Sequence, residues 1–187
     1  MSSKKNKNTR KKNKDTQAAT LEKLPYRRGV GAVLFNREGL VWVGRRIPRP
    51  GQKIENYWQM PQGGIDKGEE PVEAVFRELK EEAGTDQAEL VAETRSWLTY
   101  DLPEDLKGVA WKGKFKGQKQ KWFALRFTGD DSDFDLDGHA KPEFDAWKWV
   151  ELTCLPRLIV PFKRVIYDGI VKEFKAVPGK LGSGKTF

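Results

Sequence analysis

Short apolar runs separated by polar turns dominate the middle of the chain. Residues 29–36 (GVGAVLFN) and 40–46 (LVWVGRR) are two such runs, joined by the turn-forming sequence NREG, and this pattern predicts a β-hairpin. Residues 118–128 (QKQKWFALRFT) alternate between polar and apolar positions, which predicts a central strand. Further apolar stretches with a strand-like composition lie at 88–94, 96–102 and 146–152. The chain is therefore expected to be rich in β-structure.

Two other segments have helical periodicity. Between Pro71, which suits a first helical turn, and Gly84, which suits a helix end, one apolar face contains Val72, Phe76, Leu79 and Ala83. A second amphipathic helix near the C-terminus contains Phe162, Val165, Ile166, Ile170 and Phe174. Strands mixed with two helices in this order indicate a sheet packed between helices. We expect the core to include the tryptophans of the strand-like runs, Trp42, Trp97, Trp122 and Trp149.

The net charge of +8 is concentrated at the two ends of the chain. Residues 1–23 contain eight Lys and Arg residues against two acidic ones, and residues 175–187 contain three Lys and no acid. Because 1–23 also contain almost no bulky apolar residues, we predict a disordered basic tail there, one folded domain at 24–174 and a flexible basic tail at 175–187. The first tail either adds non-specific affinity for phosphates or is a solubilising extension.

Composition narrows the chemistry and the compartment. A chain of 187 residues can form one domain with a sizeable core. Cys154 is the single cysteine, so no intrachain disulfide can form and a reducing compartment, the cytoplasm, is expected. His139 is the single histidine, which excludes a multi-histidine zinc site. No run of about 18 apolar residues occurs, so no membrane span is expected, and the Lys-rich N-terminus lacks the apolar stretch of a secretory signal.

A cluster of carboxylates lies on the first predicted helix. Glu78, Glu81 and Glu82 fall within one sector of about 100°, because successive helical residues are rotated by about that angle. Clustered carboxylates raise one another's pKa unless a cation lies among them. Hard divalent cations prefer such oxygen ligands, although a charged, solvated helix face has the same spacing. The spacing alone leaves both interpretations open.

The order of residues around this helix resembles the Nudix box. Residues 63–85 read GGIDKGEEPVEAVFRELKEEAGT, and the family's pattern is G-x5-E-x7-R-E-U-x-E-E-x-G-U, where U is a bulky aliphatic residue. Every position matches except the last, where Thr85 replaces the aliphatic residue. The resemblance implies an α/β (α+β) fold, a Nudix-type α/β/α sandwich with a mixed sheet in a single domain. It also implies a hydrolase of phosphoanhydride bonds that uses Mg²⁺ or Mn²⁺.

The same resemblance assigns roles within the box. Glu78, Glu81 and Glu82 are expected to bind the metal, with Glu78 a candidate base. Arg77 is expected to orient these carboxylates and Glu69 to stabilise the turn before the helix. The tight turn itself needs Gly63 and Gly64, and Gly84 ends the helix.

A narrower resemblance extends over about residues 26–174. The segments YR (26–27), WQMPQGG (58–64), GQKQKWF (117–123), PEFD (142–145) and FKR (162–164) are similar to the bacterial RNA pyrophosphohydrolase branch, which includes dinucleoside polyphosphate hydrolases. This branch implies removal of pyrophosphate from the 5′-triphosphate end of RNA, which promotes mRNA decay. Glu143 matches a distal glutamate that acts as a metal ligand or base.

Other matched positions are predicted substrate contacts. Arg27 and Lys163 match residues that contact phosphates, and Arg46 and Phe162 match a pair that holds the first nucleobase, for which stacking is a sequence-tolerant means. Tyr57 and Gln118 match weaker substrate contacts. Each of these six side chains could instead be a solvated surface residue or a packing residue with no role in binding.

Two other functions remain open at this point. The segment 47–57 is longer than expected for the shorter RNA-processing members, which favours a dinucleoside polyphosphate substrate. The third hypothesis is a catalytically silent module of the Nudix fold that binds RNA or a partner, against which the intact box argues. We expect no stable protein partner and no association with a membrane.

Overall fold

The computed structural model describes residues 22–48 and 57–182. Within this part, residues 22–27 and 101–118 form one compact unit, and residues 28–48, 57–100 and 119–182 form a second. The predicted N-terminal tail lies outside the described residues, apart from 22 and 23. No helix in the described ranges is both long and apolar enough to cross a bilayer.

The described residues form an eight-stranded sheet and four α-helices. The strands are β1 (Tyr26–Phe35), β2 (Val41–Arg46), β3 (Trp58–Gln59), β4 (Gln62–Gly64), β5 (Ala88–Glu93), β6 (Leu98–Asp101), β7 (Gly117–Phe127) and β8 (Phe144–Val150). The helices are α1 (Pro71–Ala83), α2 (Leu155–Leu158), α3 (Arg164–Phe174) and α4 (Val177–Gly182). Short 3-10 helices lie at Ala110–Gly113, Asp131–Asp133, Leu152–Cys154 and Pro161–Lys163.

The order of strands in the sheet contains the central strand and the hairpin that the sequence predicts. The main path is β3-β2-β1-β7-β5, with β4 paired to β1, β6 to β7 and β8 to β2. The predicted central strand, β7, therefore does lie inside the sheet. The predicted hairpin of β1 and β2 is also present, and its turn is closed by Asn36, whose Oδ1 accepts the N–H groups of Glu38 (3.1 Å) and Leu40 (2.9 Å).

Helices α1 and α3 cover opposite faces of the sheet. Val30 and Ala32 of β1 belong to the buried cluster that includes Val75 and Leu79 of α1. Side chains alternate between the two faces of a strand, so position 31 belongs to the face opposite α1. The indole of Trp122 lies against Gly31 on that face. On that face the ring of Trp122 meets Tyr167 of α3, with centroids 5.8 Å apart. The arrangement is an α/β/α sandwich, as expected.

Burial differs from the prediction at several positions. Val72 is 37% exposed and Val165 is 63% exposed, whereas the buried faces of α1 and α3 include Glu82 and Tyr167 instead. Among the four tryptophans expected in the core, Trp42 and Trp122 are fully buried and Trp149 is partly buried. The prediction for Trp97 is wrong, because Trp97, unlike Trp149, does not pack against the buried cluster. It is partly exposed, and the guanidinium of Arg28 lies 4.8 Å from its ring centroid.

Ordered structure also extends into the expected C-terminal tail. Helix α4 occupies part of the segment predicted to be flexible, and Val177 at its start is only 7% exposed. Helix α4 therefore lies beyond residue 174, where the sequence places the end of the folded domain.

Helix α1 begins and ends as its sequence indicates. Pro71 is its first residue, and the N–H of Glu70 just before it donates to Glu73 (3.2 Å). Gly84 ends the helix with a φ of 79°, in the left-handed region that favours glycine. Thr85, the one departure from the box pattern, is buried, and its Oγ1 accepts the N–H of Gln87 at 3.2 Å. The hydroxyl thus has a partner where the family pattern places an aliphatic group.

Candidate active site

Arg77, in the middle of α1, is the centre of a hydrogen-bond network that reaches the turn before the helix. Its Nε and one terminal nitrogen donate to the two carboxylate oxygens of Glu69 at 2.7 and 2.8 Å, and that terminal nitrogen also donates to the carbonyl of Gly64 at 2.9 Å. The other terminal nitrogen lies 3.0 Å from Glu78 and 3.4 Å from Glu81. These bonds, first of all the one to Glu69, raise the pKa of Arg77. The guanidinium therefore connects the turn to two carboxylates of the box.

Glu69 fixes the turn between β4 and α1. Besides Arg77, its carboxylate accepts the N–H of Asp66 at 2.8 Å. The hydrogen bond from Arg77 holds the pKa of Glu69 below its ordinary value, so the carboxylate stays ionised. The geometry is that expected of a residue that stabilises the turn.

Glu82 is a buried carboxylate next to other charges. The residue is only 8% exposed, and its Oε2 accepts the N–H of Gln62 at 2.9 Å. Burial raises the pKa of Glu82 to about 8, and the negative charge of Glu78 adds to this effect, while Arg46 and Lys163 oppose it. The structure thus brings predicted box residues and predicted substrate-binding residues, together with Gln62, into one region.

Glu143 and Arg46 form an ion pair with each other. The pairing follows from the register of β2 and β8, in which Arg46 lies opposite Phe144, and the carbonyl of Glu143 also accepts the N–H of Ile47 at 3.0 Å. Two residues predicted to have separate roles, one at the metal and one at the nucleobase, are therefore direct partners.

Phe162 and Lys163 lie against a buried aromatic ring. The rings of Phe162 and Tyr100 have centroids 5.7 Å apart, and the Lys163 ammonium is 5.6 Å from the Tyr100 centroid. Lys163 also donates to Oε1 of Gln62 at 3.1 Å. Both residues are partly buried, and their contacts with substrate stay predictions.

The remaining predicted contacts have local partners. In the first compact unit, the guanidinium of Arg27 lies 5.6 Å from the ring centroid of Trp111, and Gln118 is buried. In the second unit, Tyr57 is partly buried and its carbonyl accepts the N–H of Arg46 at 3.0 Å. The substrate roles of Arg27, Tyr57 and Gln118 stay predictions.

Sequence reasoning assigns no role to two buried polar residues, Gln120 and Tyr167. Both contact Gln62, at 3.1 and 3.3 Å. A signal for Gln120 is present, because the alternation of β7 places it on the inward side with Trp122. A polar residue at an inward strand position needs a buried hydrogen-bond partner.

The predicted metal ligands do not form one cluster. In residues 22–48 and 57–182, no three His, Cys, Asp or Glu side chains are grouped closely enough to hold an ion. Arg77 holds Glu78 and Glu81, and Arg46 holds Glu143. The donor chemistry nevertheless fits magnesium or manganese, because all four groups are carboxylates. A divalent cation would also offset the burial and the repulsion from Glu78 that disfavour the ionised form of Glu82.

Comparison with known proteins identifies the family. The family model described as NUDIX domain matches residues 25–169, a stretch that includes residues of both compact units. A protein of Rhodospirillum rubrum named RNA pyrophosphohydrolase is 55% identical over 157 residues, which are 83% of this chain and 92% of that protein. A protein of Brucella anthropi with the same name is 52% identical over 161 residues, covering 82% of this chain and 92% of the relative.

Solved structures agree on the fold. The C. elegans Ap4A hydrolase binary complex superposes with a TM-score of 0.60 at 21% identity, covering 82% of this chain and 98% of that one. The E. coli dihydroneopterin triphosphate pyrophosphohydrolase gives a TM-score of 0.59 at 19% identity, covering 79% and 96%. The matched domain, the similar relatives and a turn-helix motif that departs from the family pattern only at Thr85 lead to one conclusion: this chain belongs to the NUDIX family of hydrolases.

Proposed function

We propose that this enzyme is an RNA pyrophosphohydrolase, which hydrolyses a phosphoanhydride bond at the 5′-triphosphate end of RNA and releases pyrophosphate. The observation that carries the proposal is the identity of more than half of the aligned residues with proteins of that name, over most of both chains. We place the activity in the cytoplasm, in keeping with the single cysteine, and its consequence is faster mRNA decay. No protein partner is part of the proposal.

The box residues supply the catalytic groups. Glu78, Glu81, Glu82 and Glu143 would hold the divalent cation, Mg²⁺ or Mn²⁺, which neutralises phosphate charge and lowers the pKa of a bound water when present. Glu78 is the proposed base by resemblance to the family, and a hydrogen bond of 3.0 Å from Arg77 to its Oε1 fixes the orientation of its carboxylate. Arg77 orients Glu78 and Glu81 through hydrogen bonds.

Three of the proposed substrate-binding residues, Arg46, Phe162 and Lys163, belong to the same compact unit as the box. Lys163 contacts the phosphates, and Phe162, supported by Tyr100, stacks on the first nucleobase together with Arg46. Arg27, Tyr57 and Gln118 are assigned as further contacts by resemblance alone. Aromatic and guanidinium stacking accepts any base, which suits an enzyme that acts on many transcripts.

Direct competition tests the proposal. Triphosphorylated RNA and diadenosine tetraphosphate are offered together with Mg²⁺, and kcat/KM is measured for each. We expect the higher value for RNA. A strong preference for diadenosine tetraphosphate would instead identify the protein as a dinucleoside polyphosphate hydrolase. The long segment 47–57 is the feature that favours this second candidate function. Glu78→Gln is the catalytic control: unchanged turnover of both substrates would rule out catalysis by the box and leave a binding module.

A further inference from the structure

Gln62 joins two parts of the site that are far apart in the sequence. Its backbone N–H donates to Glu82 at 2.9 Å, and its side-chain Oε1 accepts a hydrogen bond from the Lys163 ammonium at 3.1 Å. One residue therefore contacts a proposed metal ligand through its main chain and a proposed phosphate-binding cation through its side chain.

The orientation of the Gln62 amide is determined by its partners. Lysine can only donate a hydrogen bond and a backbone carbonyl can only accept one. Oε1 must therefore face Lys163, and Nε2 must face the carbonyl of Met60, 3.3 Å away. A flipped amide would place its NH₂ group against the ammonium group, which is repulsive.

Two buried residues complete this arrangement. Gln120 donates from Nε2 to Oε1 of Gln62 at 3.1 Å, and the hydroxyl of Tyr167 accepts from Nε2 of Gln62 at 3.3 Å and from the N–H of Met60 at 3.2 Å. Gln120 and Tyr167 are each 1% exposed. All four hydrogen-bonding positions of the Gln62 amide are thus used, and the Gln62 residue itself is only 8% exposed.

We propose that Gln120 and Tyr167 are positioning residues, which act through the side chain of Gln62 to hold the Lys163 ammonium for the substrate phosphates. Lysine is a point charge on a flexible stem, and a cation that is already oriented needs no reorganisation when substrate arrives. Gln120 and Tyr167 do not contact substrate in this scheme. The inference rests on the proposed function, because it takes Lys163 as a phosphate contact.

A double-mutant cycle on activity tests the proposal. Gln120→Met removes the hydrogen-bond donor at nearly constant volume, and Lys163→Met removes the cation. With Mg²⁺ and triphosphorylated RNA, we expect Gln120→Met to lower kcat/KM about tenfold in the wild-type background and less than about twofold in the Lys163→Met background, because contacting residues couple. An equal loss in both backgrounds, or no loss in either, overturns the proposal.

Thr94→Val is the matched control for lost buried polarity. Thr94 is fully buried, and its Oγ1 accepts the N–H of Trp122 at 3.2 Å. Trp122 lies on β7, as Gln120 does. Replacement of Thr94 therefore removes a buried hydrogen bond to the same strand without changing a contact of Gln62. We expect a lower Tm and an unchanged kcat/KM. If Thr94→Val reduces kcat/KM as much as Gln120→Met does, general destabilisation accounts for both and the positioning role is refuted.

Tyr167→Phe provides a second test should Gln120→Met not fold. It keeps the ring against Trp122 and deletes only the hydroxyl. We expect about a threefold loss of kcat/KM that disappears in the Lys163→Met background; a loss of equal size in both backgrounds contradicts the proposal. If the wild type hydrolyses diadenosine tetraphosphate and not RNA, the proposed function fails, and the same cycle measured on that dinucleotide decides the positioning role separately.

Discussion

Gly63 and Glu78 approach so closely that a Cβ atom on Gly63 would overlap the Glu78 carboxylate. The overlap is with the proposed catalytic base, so Gly63→Ala must displace this group or the turn that precedes α1. We expect kcat to fall about 100-fold, since an error of about 1 Å at a reacting group has an effect of that size. Steady-state kinetics on triphosphorylated RNA with Mg²⁺ measure it.

Gly68 in the same turn is the control. It has a φ of +86°, but no atom lies within 4 Å of the place that an alanine methyl group would take, so Gly68→Ala introduces backbone strain without a collision. We expect a loss of about 1 kcal/mol of stability with most activity kept. Equal losses of kcat in the two alanine variants would mean that turn geometry, rather than contact with Glu78, is what Gly63 protects.

Arg77→Lys separates charge from geometry. A lysine ammonium keeps the positive charge but cannot make the paired bonds to Glu69 and also reach Gly64 and Glu78. We expect kcat to fall by about tenfold to 100-fold, the range for loss of a residue that orients metal ligands, with a lower Tm. Arg126→Lys is the control: Arg126 forms an exposed ion pair with Glu89, and this variant should leave kcat and Tm unchanged. Full activity of Arg77→Lys would show that charge alone suffices.

Buried Glu82 makes the metal-free protein sensitive to pH. Its pKa is about 8 in the folded state against an ordinary value of 4.5. The folded state therefore retains a proton that the unfolded chain releases, and stability decreases as pH rises from about 4.5 towards 8. We expect Glu82→Gln to remove this decrease and to make the protein more stable than wild type at pH 8, by up to a few kcal/mol at about 1.4 kcal/mol per pKa unit.

Denaturant unfolding in EDTA across this pH range is the measurement. Glu81→Gln is the comparison, since the Glu81 side chain is 41% exposed on the same helix, and it should follow the wild-type pH profile. Added Mg²⁺ should stabilise the wild type at pH 8 and have less effect on Glu82→Gln. A wild-type profile that is flat from pH 5 to 8 would contradict the burial argument.

The ion pair of Arg46 with Glu143 predicts opposite effects on metal binding. If Glu143 binds the cation, Arg46 competes for the same carboxylate. We expect Arg46→Gln to bind Mg²⁺ several-fold more tightly and RNA more weakly, and Glu143→Gln to bind Mg²⁺ about tenfold more weakly. Calorimetric titration of Mg²⁺ into metal-free protein distinguishes the two. Weaker Mg²⁺ binding in both variants would mean that the pair itself is needed to form the site.

The basic N-terminal tail is expected to affect binding but not catalysis. Removal of residues 1–23 deletes eight Lys and Arg residues, all but one of them outside the described part of the structure. We expect a weaker RNA affinity with a shallower dependence on salt, because fewer counterions are released from the phosphates. The kcat should be retained. Identical salt slopes for the two proteins would identify the tail as a solubilising extension.

Local features of this site can be predicted from the sequence, and contacts between distant segments cannot. The helix period predicts α1 and places Glu81 one turn after Arg77 on the same face, where the two side chains lie 3.4 Å apart. The burial of Glu82 is not predictable in this way, since a rotation of about 100° separates it from exposed Glu81 and only packing decides which of them faces inward.

The Gln62 network illustrates the second limit. Gln62 lies 58 residues from Gln120 and 105 residues from Tyr167, and no local pattern specifies such pairings. The pairing of Arg46 with Glu143 likewise depends on the register of β2 and β8. The position of Trp97 in an apolar run wrongly predicts a core residue, because the strand begins one residue later, at Leu98.

The indole of Trp122 occupies the space that a side chain at position 31 would need. It also meets Tyr167, which belongs to the Gln62 network. In evolutionary terms, positions 31 and 122 should vary together, because a homologue with a larger residue at 31 would need a smaller one at 122. Such a homologue would lose the ring contact between Trp122 and Tyr167. Gly31 is not one of the proposed catalytic or binding residues. It would nevertheless be required in those relatives that keep Tyr167 in the Gln62 network.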